Sequence, residues 1–168
     1  MQECQSIRKA KLLFREELKE IDELPEIDAV FSIVIEFYTG YNNTHQLIQA
    51  DEELPESIVA KLKHVLERLK RNEPVQYILG QSDFYGLTFQ VNTHTLIPRQ
   101  ETEVLVDLII KEHRDKEVKI LDIGTGSGCI PISIKKNLPQ TQVFALDISK
   151  LALKVASENA KINEVEVT

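Results

Sequence analysis

The sequence has little cysteine, no long hydrophobic run and no excess of positive charge. No apolar stretch approaches the roughly 18 residues that a membrane span requires, which excludes that class of protein. No basic segment followed by an apolar core comes after Met1, so we expect no secretory signal. Two cysteines, Cys4 and Cys129, cannot form a disulfide framework, and we expect reduced thiols in a cytoplasmic protein.

The net charge of −7 argues against a general nucleic-acid-binding surface, and we expect no direct contact with nucleic acid. One local exception is a basic cluster within residues 61–71. Either it is a solvated helix face or it docks an acidic or RNA-bearing partner. The cluster consists of Lys61, Lys63, Arg68, Lys70 and Arg71. The four histidines are scattered without the spacing of metal ligands, so no metal site is predicted.

Residues 1–72 carry helical periodicity and no strand pattern, which predicts a small helical bundle. The predicted helices cover about 7–21, 27–38, 44–49 and 55–69, and Gly40 is placed to end the second one. The fourth helix has the clearest apolar stripe, with offsets of 4, 7, 8 and 11 from its first member. That stripe consists of Ile58, Leu62, Val65, Leu66 and Leu69.

A different pattern begins at Pro74. Gly80 and Gly86 bracket a turn, and residues 87–91 alternate strictly, so residues 73–95 are interpreted as a hairpin linker. A helix is predicted from about Thr102 to His113. Its expected buried face consists of Val104, Leu105, Leu108 and Ile109.

From residue 118 onward, strands and helices alternate. Strands are predicted at 118–122 and 143–146, each followed by a helix, and a third strand is expected to begin at 165–167. Such alternation indicates an α/β fold with a parallel sheet.

The segment between the first of these strands and its helix has the sequence DIGTGSG, residues 122–128. Alternate glycines let the backbone turn sharply out of a strand and approach a ligand closely. Asp147 ends the next strand, 23 positions after Gly124, near the spacing expected for a carboxylate that binds ribose hydroxyls. Together these features predict a nucleoside ligand. The absence of a lysine after the loop disfavours a nucleoside triphosphate.

The form Asp-x-Gly-x-Gly-x-Gly resembles the first motif of methyltransferases that use S-adenosylmethionine. Three further segments precede it, in the order EPVQYILG (73–80), FYGL (84–87) and LIPRQETE (96–103). In that order they closely resemble the HemK/PrmC family, whose members methylate a glutamine side-chain amide in class I peptide release factors. The resemblance is specific over about 73–163 and looser over 1–72.

The resemblance implies three parts: a helical substrate-recognition domain (1–72), the hairpin linker, and a truncated Rossmann-like domain that binds S-adenosylmethionine (96–168). It implies that the cofactor contacts Gly124, Thr125, Gly126, Ser127 and Gly128 through its methionine part and Asp147 through its ribose. Asp122 would contact the ligand's amino group, or alternatively accept N–H bonds from the loop. Cys129, where the family commonly has alanine, is interpreted as a small buried residue.

Three charged residues that precede this domain's first strand, Arg99, Glu101 and Glu103, have two interpretations. They could border the cofactor cleft. Alternatively, they form an ion-pair and helix-start cluster that is structural.

The family's Asn-Pro-Pro-Tyr motif, which grips the substrate amide, does not occur in these 168 residues. We therefore predict no catalytic residue here and no methylation by this chain alone. The expected partner of the intact protein is a release factor. The alternatives are a methyltransferase that acts on another amide or amine, and a non-catalytic docking module.

Overall fold

The computed structural model describes residues 5–114 and 116–168. The described residues form two compact units that divide after Leu79, each with its own hydrophobic core. No helix in the described part of the chain is long and apolar enough to cross a membrane. The α/β class is confirmed: helices come first, then an antiparallel hairpin, then a parallel strand pair with helices.

Within the described residues, the first unit has five helices: α1 (Ile7–Leu18), α2 (Leu24–Thr39), α3 (Asn43–Ile48), α4 (Glu56–Leu69) and α5 (Val75–Leu79). Gly40 ends α2 in the left-handed conformation with φ 74°, as predicted. The Asn42 side chain caps α3 by accepting the His45 N–H at 3.0 Å. The bundle predicted for this region is therefore present.

The core of the first unit contains the stripe predicted for α4. Leu62 and Val65 are fully buried there, and Phe14 packs edge-on against Phe31 with the ring centroids 5.1 Å apart. The short helix α5 also belongs to this core through Val75 and Ile78. Unit 1 thus extends to Leu79, seven residues beyond the predicted bundle.

Most of the basic cluster is engaged within the first unit. Arg68 forms a bidentate ion pair with Glu73 and also donates to the Ile78 carbonyl at 3.3 Å. Lys70 pairs with Glu17 at 2.6 Å. Lys61 lies over the Tyr38 ring, 5.1 Å from its centroid. These contacts favour a structural helix face over a docking patch.

The second unit begins with the predicted hairpin, formed by β1 (Gln81–Phe84) and β2 (Leu87–Gln90). Its turn residues Tyr85 and Gly86 both have positive φ, 51° and 72°, which is the type I′ geometry that suits strand twist. Phe84 and Phe89 are almost fully buried in the core of the second unit. The hairpin is therefore part of that unit's packing.

Five more elements follow: α6 (Gln100–His113), β3 (Lys119–Ile123), α7 (Cys129–Asn137), β4 (Gln142–Leu146) and α8 (Lys150–Ile162). β3 and β4 pair in parallel with Ile123 opposite Leu146. Both strands therefore end at the same edge of the sheet, which is where α/β proteins bind ligands.

Two details of this region were predicted wrongly. The buried residues of α6 are Val106 and Ile110, whereas Val104, Leu105 and Leu108 are 47–71% exposed. The fourth predicted residue, Ile109, is partly buried against the core. Both sets are spaced by helical turns, so periodicity does not decide between them. Residues 165–167, where a third strand was expected to begin, do not form a strand. The chain meets β4 at Thr168, which exchanges hydrogen bonds with Val143 and Ala145 at 3.1 and 2.8 Å.

Candidate functional site

The glycine-rich loop, residues 124–128, turns away from the sheet at the end of β3 and is anchored on β4. The N–H groups of Gly124 and Thr125 both donate to the Leu146 carbonyl, at 2.8 and 2.9 Å. The Gly128 N–H donates to the Thr125 carbonyl at 2.9 Å. The loop is thus shaped by the protein's own hydrogen bonds.

The three glycines have positive φ angles of 81°, 56° and 79°, which side chains rarely allow. A Cβ at Gly124 or Gly126 would point into open space. A Cβ at Gly128 would lie 3.0 Å from the Ile132 side chain and 3.1 Å from Ala156 Cβ. The first two glycines therefore leave room for a ligand, and the third allows close packing of α7 and α8.

Asp147 lies beside this loop, as its position after β4 predicts. One carboxylate oxygen accepts the Gly126 N–H at 2.9 Å and the other accepts the Ser149 N–H at 2.8 Å. The bonds from Ser149 and Gly126 hold the pKa of Asp147 below its usual value, so the group is ionised at neutral pH. Each oxygen retains acceptor capacity, which a pair of ribose hydroxyls can use.

Asp122 has a buried carboxylate oxygen, Oδ2, with no hydrogen-bond partner in the described part of the chain. The Gly126 N–H, which Asp122 could have accepted, instead bonds Asp147. A buried carboxylate oxygen without a hydrogen-bond partner is costly. This observation favours the alternative in which Asp122 meets a cationic group of the ligand.

The side chains of Thr125 and Ser127 are directed into the protein, being only 6% and 2% exposed. Only their backbone can contact a ligand in the open space beside Gly124 and Gly126. Cys129 begins α7 and is half-buried, and burial raises the pKa of its thiol. The thiol is therefore protonated at neutral pH, as a packing residue would be, rather than an activated nucleophile.

Glu103 supports the hairpin. Its side chain accepts the Tyr85 N–H at 2.7 Å and so holds the residue that turns between β1 and β2. Glu101 and Glu103 occupy the first turn of α6, where negative charge is favourable, and Arg99 precedes that turn. The structural interpretation, a helix-start cluster with ion pairs, therefore fits in its first half. Its second half does not fit, because no ion pair links these three residues in the described structure.

Two features of the site were not predicted from sequence. Ile148 is fully exposed immediately after Asp147 and offers an apolar surface beside the carboxylate. Asn159 is fully buried within α8 and contacts both the loop and the hairpin. The sequence feature that could have pointed to Asn159 is an asparagine within an otherwise amphipathic helix.

A hairpin followed by a parallel strand pair with this glycine-rich loop defines the start of a Rossmann-like methyltransferase domain. Residues 97–168 match the ribosomal protein L11 methyltransferase (PrmA) family. Residues 10–80 match the PrmC N-terminal domain. The chain is a homologue of the N-terminal part of the release factor glutamine methyltransferases, which confirms the resemblance found in the sequence.

Several relatives carry the name release factor glutamine methyltransferase, among them those of three organisms. That of Flavobacterium psychrophilum is 45% identical over 166 residues, 96% of this chain and 58% of the relative. That of Enterococcus faecalis is 44% identical, covering 73% and 44%. That of Bacteroides thetaiotaomicron is 51% identical, covering 64% and 38%. The chain spans about half the length of these curated relatives.

Proposed function

We propose that this chain is the cofactor-binding and substrate-recognition part of an enzyme that methylates a glutamine side-chain amide in a class I release factor. S-adenosylmethionine is the proposed methyl donor. The observation that carries the proposal is the meeting of the glycine loop, Asp147 and the unpartnered Asp122 oxygen around one sheet edge. The names of the relatives supply the substrate class.

The residues present fit this cofactor. Asp147 would accept hydrogen bonds from the ribose hydroxyls, and Asp122 would pair with the ammonium group of the methionine part. The open space beside Gly124 and Gly126 would admit that part against the backbone. Ile148 would form an apolar surface for the adenine. Two carboxylates around the loop disfavour a phosphate-bearing ligand, because like charges repel.

The bound cofactor supplies a methyl group on a sulfonium, which is already a good leaving group. An amide nitrogen is a poor nucleophile because its lone pair is delocalised into the carbonyl. Catalysis therefore depends mainly on aligning the two reactants. The residues described above hold and orient the methyl donor. In the family that the sequence resembles, the Asn-Pro-Pro-Tyr motif holds the substrate amide, and these 168 residues do not contain that motif.

A chimera tests the proposal. The chain is joined to the parts of the Flavobacterium psychrophilum relative outside the matched region and incubated with S-adenosylmethionine and a class I release factor. We expect mass spectrometry to find one added methyl group on a glutamine-containing peptide of the release factor.

The control is the same chimera carrying Asp147→Ala, in which methylation should fall steeply. Cofactor binding without any methylated release factor would point to a different acceptor. A chimera that binds no S-adenosylmethionine in calorimetry would overturn the proposal as a whole.

A further inference from the structure

Asn159, in α8, makes three hydrogen bonds through one fully buried side chain. Its Oδ1 accepts the Gln90 N–H at 2.7 Å. Its Nδ2 donates to the Gln90 carbonyl at 2.9 Å and to the Ser127 carbonyl at 2.9 Å. The side chain therefore joins the second strand of the hairpin to the glycine-rich loop.

The contact with Gln90 occupies the free edge of β2. In an antiparallel pair, residues whose polar groups bond the partner strand alternate with residues whose groups face away. The Val91 N–H bonds the Gly80 carbonyl, so Gln90, paired with Gln81, presents its N–H and carbonyl outward. The side-chain amide of Asn159 forms hydrogen bonds with both groups, in the way that the backbone of an adjacent strand would.

The contact with Ser127 fixes one peptide of the loop. The peptide joining Ser127 to Gly128 has its carbonyl bonded by Asn159 and its N–H bonded to the Thr125 carbonyl at 2.9 Å. Ala156, one turn before Asn159, lies against Gly128. α8 thus sets both the orientation of this peptide and the position of the glycine.

We propose that Asn159 is a positioning residue of the cofactor site, which sets the geometry of the glycine-rich loop and the place of the hairpin together. The inference rests on the proposed function in one respect, that the loop binds S-adenosylmethionine. Because coupling between sites is reciprocal, a ligand that orders the loop also protects the hairpin edge at Gln90 from exchange.

Asn163 provides a matched control. It follows α8, is also buried, and donates to the hairpin at the Thr88 carbonyl at 3.1 Å. None of its hydrogen bonds reaches the glycine loop. Asn163→Ala therefore removes a hairpin contact and a bond to the Asn159 carbonyl within α8, but no contact with the loop. Asn159→Ala removes contacts with both the hairpin and the loop.

The test measures amide hydrogen exchange and S-adenosylmethionine affinity on this chain and its two variants. We expect Asn159→Ala to speed amide exchange at Gly128. We also expect it to weaken S-adenosylmethionine binding about tenfold, which corresponds to about 1.4 kcal/mol of binding free energy. Asn163→Ala should leave Gly128 exchange unchanged and affinity within about twofold. Adding cofactor should slow exchange at Gln90 in the unmodified chain.

Unchanged Gly128 exchange in Asn159→Ala, or equal affinity losses in the two variants, would overturn the inference. If Asn159→Ala does not fold, Asn159→Ser, which keeps a small donor, is measured instead with the same expected direction. Failure of the unmodified chain to bind cofactor would count against the proposed function. The exchange at Gly128, measured without cofactor, still decides the role of Asn159.

Discussion

Asp147 joins two parts of the fold through one side chain, and its proposed role in cofactor binding would use the same carboxylate. Its two oxygens accept N–H bonds from Gly126 and Ser149, so the carboxylate joins the glycine loop to the start of α8. The same bonds hold it ionised and in a fixed orientation, which suits the binding of a diol. The role in cofactor binding stays a prediction, whereas the position beside the loop is a property of the structure.

Replacing Asp147 with alanine should weaken S-adenosylmethionine binding by at least about tenfold, because two acceptors for the ribose are lost. Calorimetry on the chain measures this loss. Ser149→Ala is the control, since Ser149 caps α8 by accepting the Ala152 N–H at 3.2 Å. That variant should lose about 1 kcal/mol of stability and keep its affinity. Equal affinity in Asp147→Ala and the unmodified chain would refute the ribose role.

Asp28 makes the folding stability of the first unit depend on pH in the acidic range. Arg15 forms a bidentate ion pair with it at 2.7 and 2.5 Å, and Lys11 lies 3.2 Å away. Mainly because of the Arg15 bond, the pKa of Asp28 falls from 3.8 to about 2. A lowered pKa in the folded state stabilises the fold above pH 3.8, and the stabilisation is lost as the pH falls through about 2.

Asp28→Asn should therefore lower the free energy of unfolding at pH 7 by about 1 kcal/mol, a figure reduced for partial solvation of the pair. The difference from the unmodified chain should shrink below pH 4 and vanish near pH 2. Denaturant unfolding at several pH values measures it. Asp51→Asn, at the exposed pair with Arg8, is the control and should show no comparable effect. A difference that persisted undiminished at pH 2 would contradict the assignment.

At the level of elements, α8 organises the site through its packing as well as through its polar groups. Ala156 lies against Gly128, and Asn159 bonds the adjoining peptide. The alternation of strands and helices predicted a helix after the second strand, and the structure has it at Lys150–Ile162. The pattern could not predict what the helix contacts, since both the hairpin and the loop are distant in sequence.

A comparison of Gly128→Ala with Gly126→Ala should distinguish a glycine needed for helix packing from one that leaves room for a ligand. Both positions have positive φ, which costs alanine about 1 kcal/mol. Only at Gly128 does the added Cβ press against Ala156 and Ile132, so that variant should lose about 2 kcal/mol or more. Thermal unfolding compares the two variants.

Gly126→Ala should remain near the lower loss in stability but bind S-adenosylmethionine poorly, because its methyl group enters the open space beside the loop. Retention of full affinity by Gly126→Ala would show that this space is not where the ligand lies. Equal stability losses in the two variants would contradict the packing role of Gly128.

At the scale of the whole molecule, the chain consists of two units that divide after Leu79. The first has a complete helical core that includes Val75 and Ile78 of α5. The predicted boundary at residue 72 would separate α5 from that core and break the ion pair between Arg68 and Glu73. The functional assignment of the two units, recognition and cofactor binding, remains a proposal.

A fragment of residues 1–79 should therefore fold as a helical bundle with a cooperative thermal transition followed by circular dichroism. The fragment 1–72 should melt at a lower temperature, because about 1.5–3 kcal/mol of burial is lost with each large apolar side chain removed from the core. Identical midpoints would place the true boundary at residue 72. A non-cooperative transition for 1–79 would show that the first unit is not independent.

The sequence by itself determined the local structure, including the sharp turn of the glycine-rich loop. Helical period, turn glycines and strand alternation are properties of neighbouring residues, and they predicted the bundle, the hairpin and the βαβα order. Tertiary structure alone decided which apolar stripe of α6 is buried, because two stripes have helical spacing and only packing distinguishes them. It also decided that Asn159 joins Gln90 to Ser127, since hydrogen bonds across 69 and 32 positions leave no local pattern.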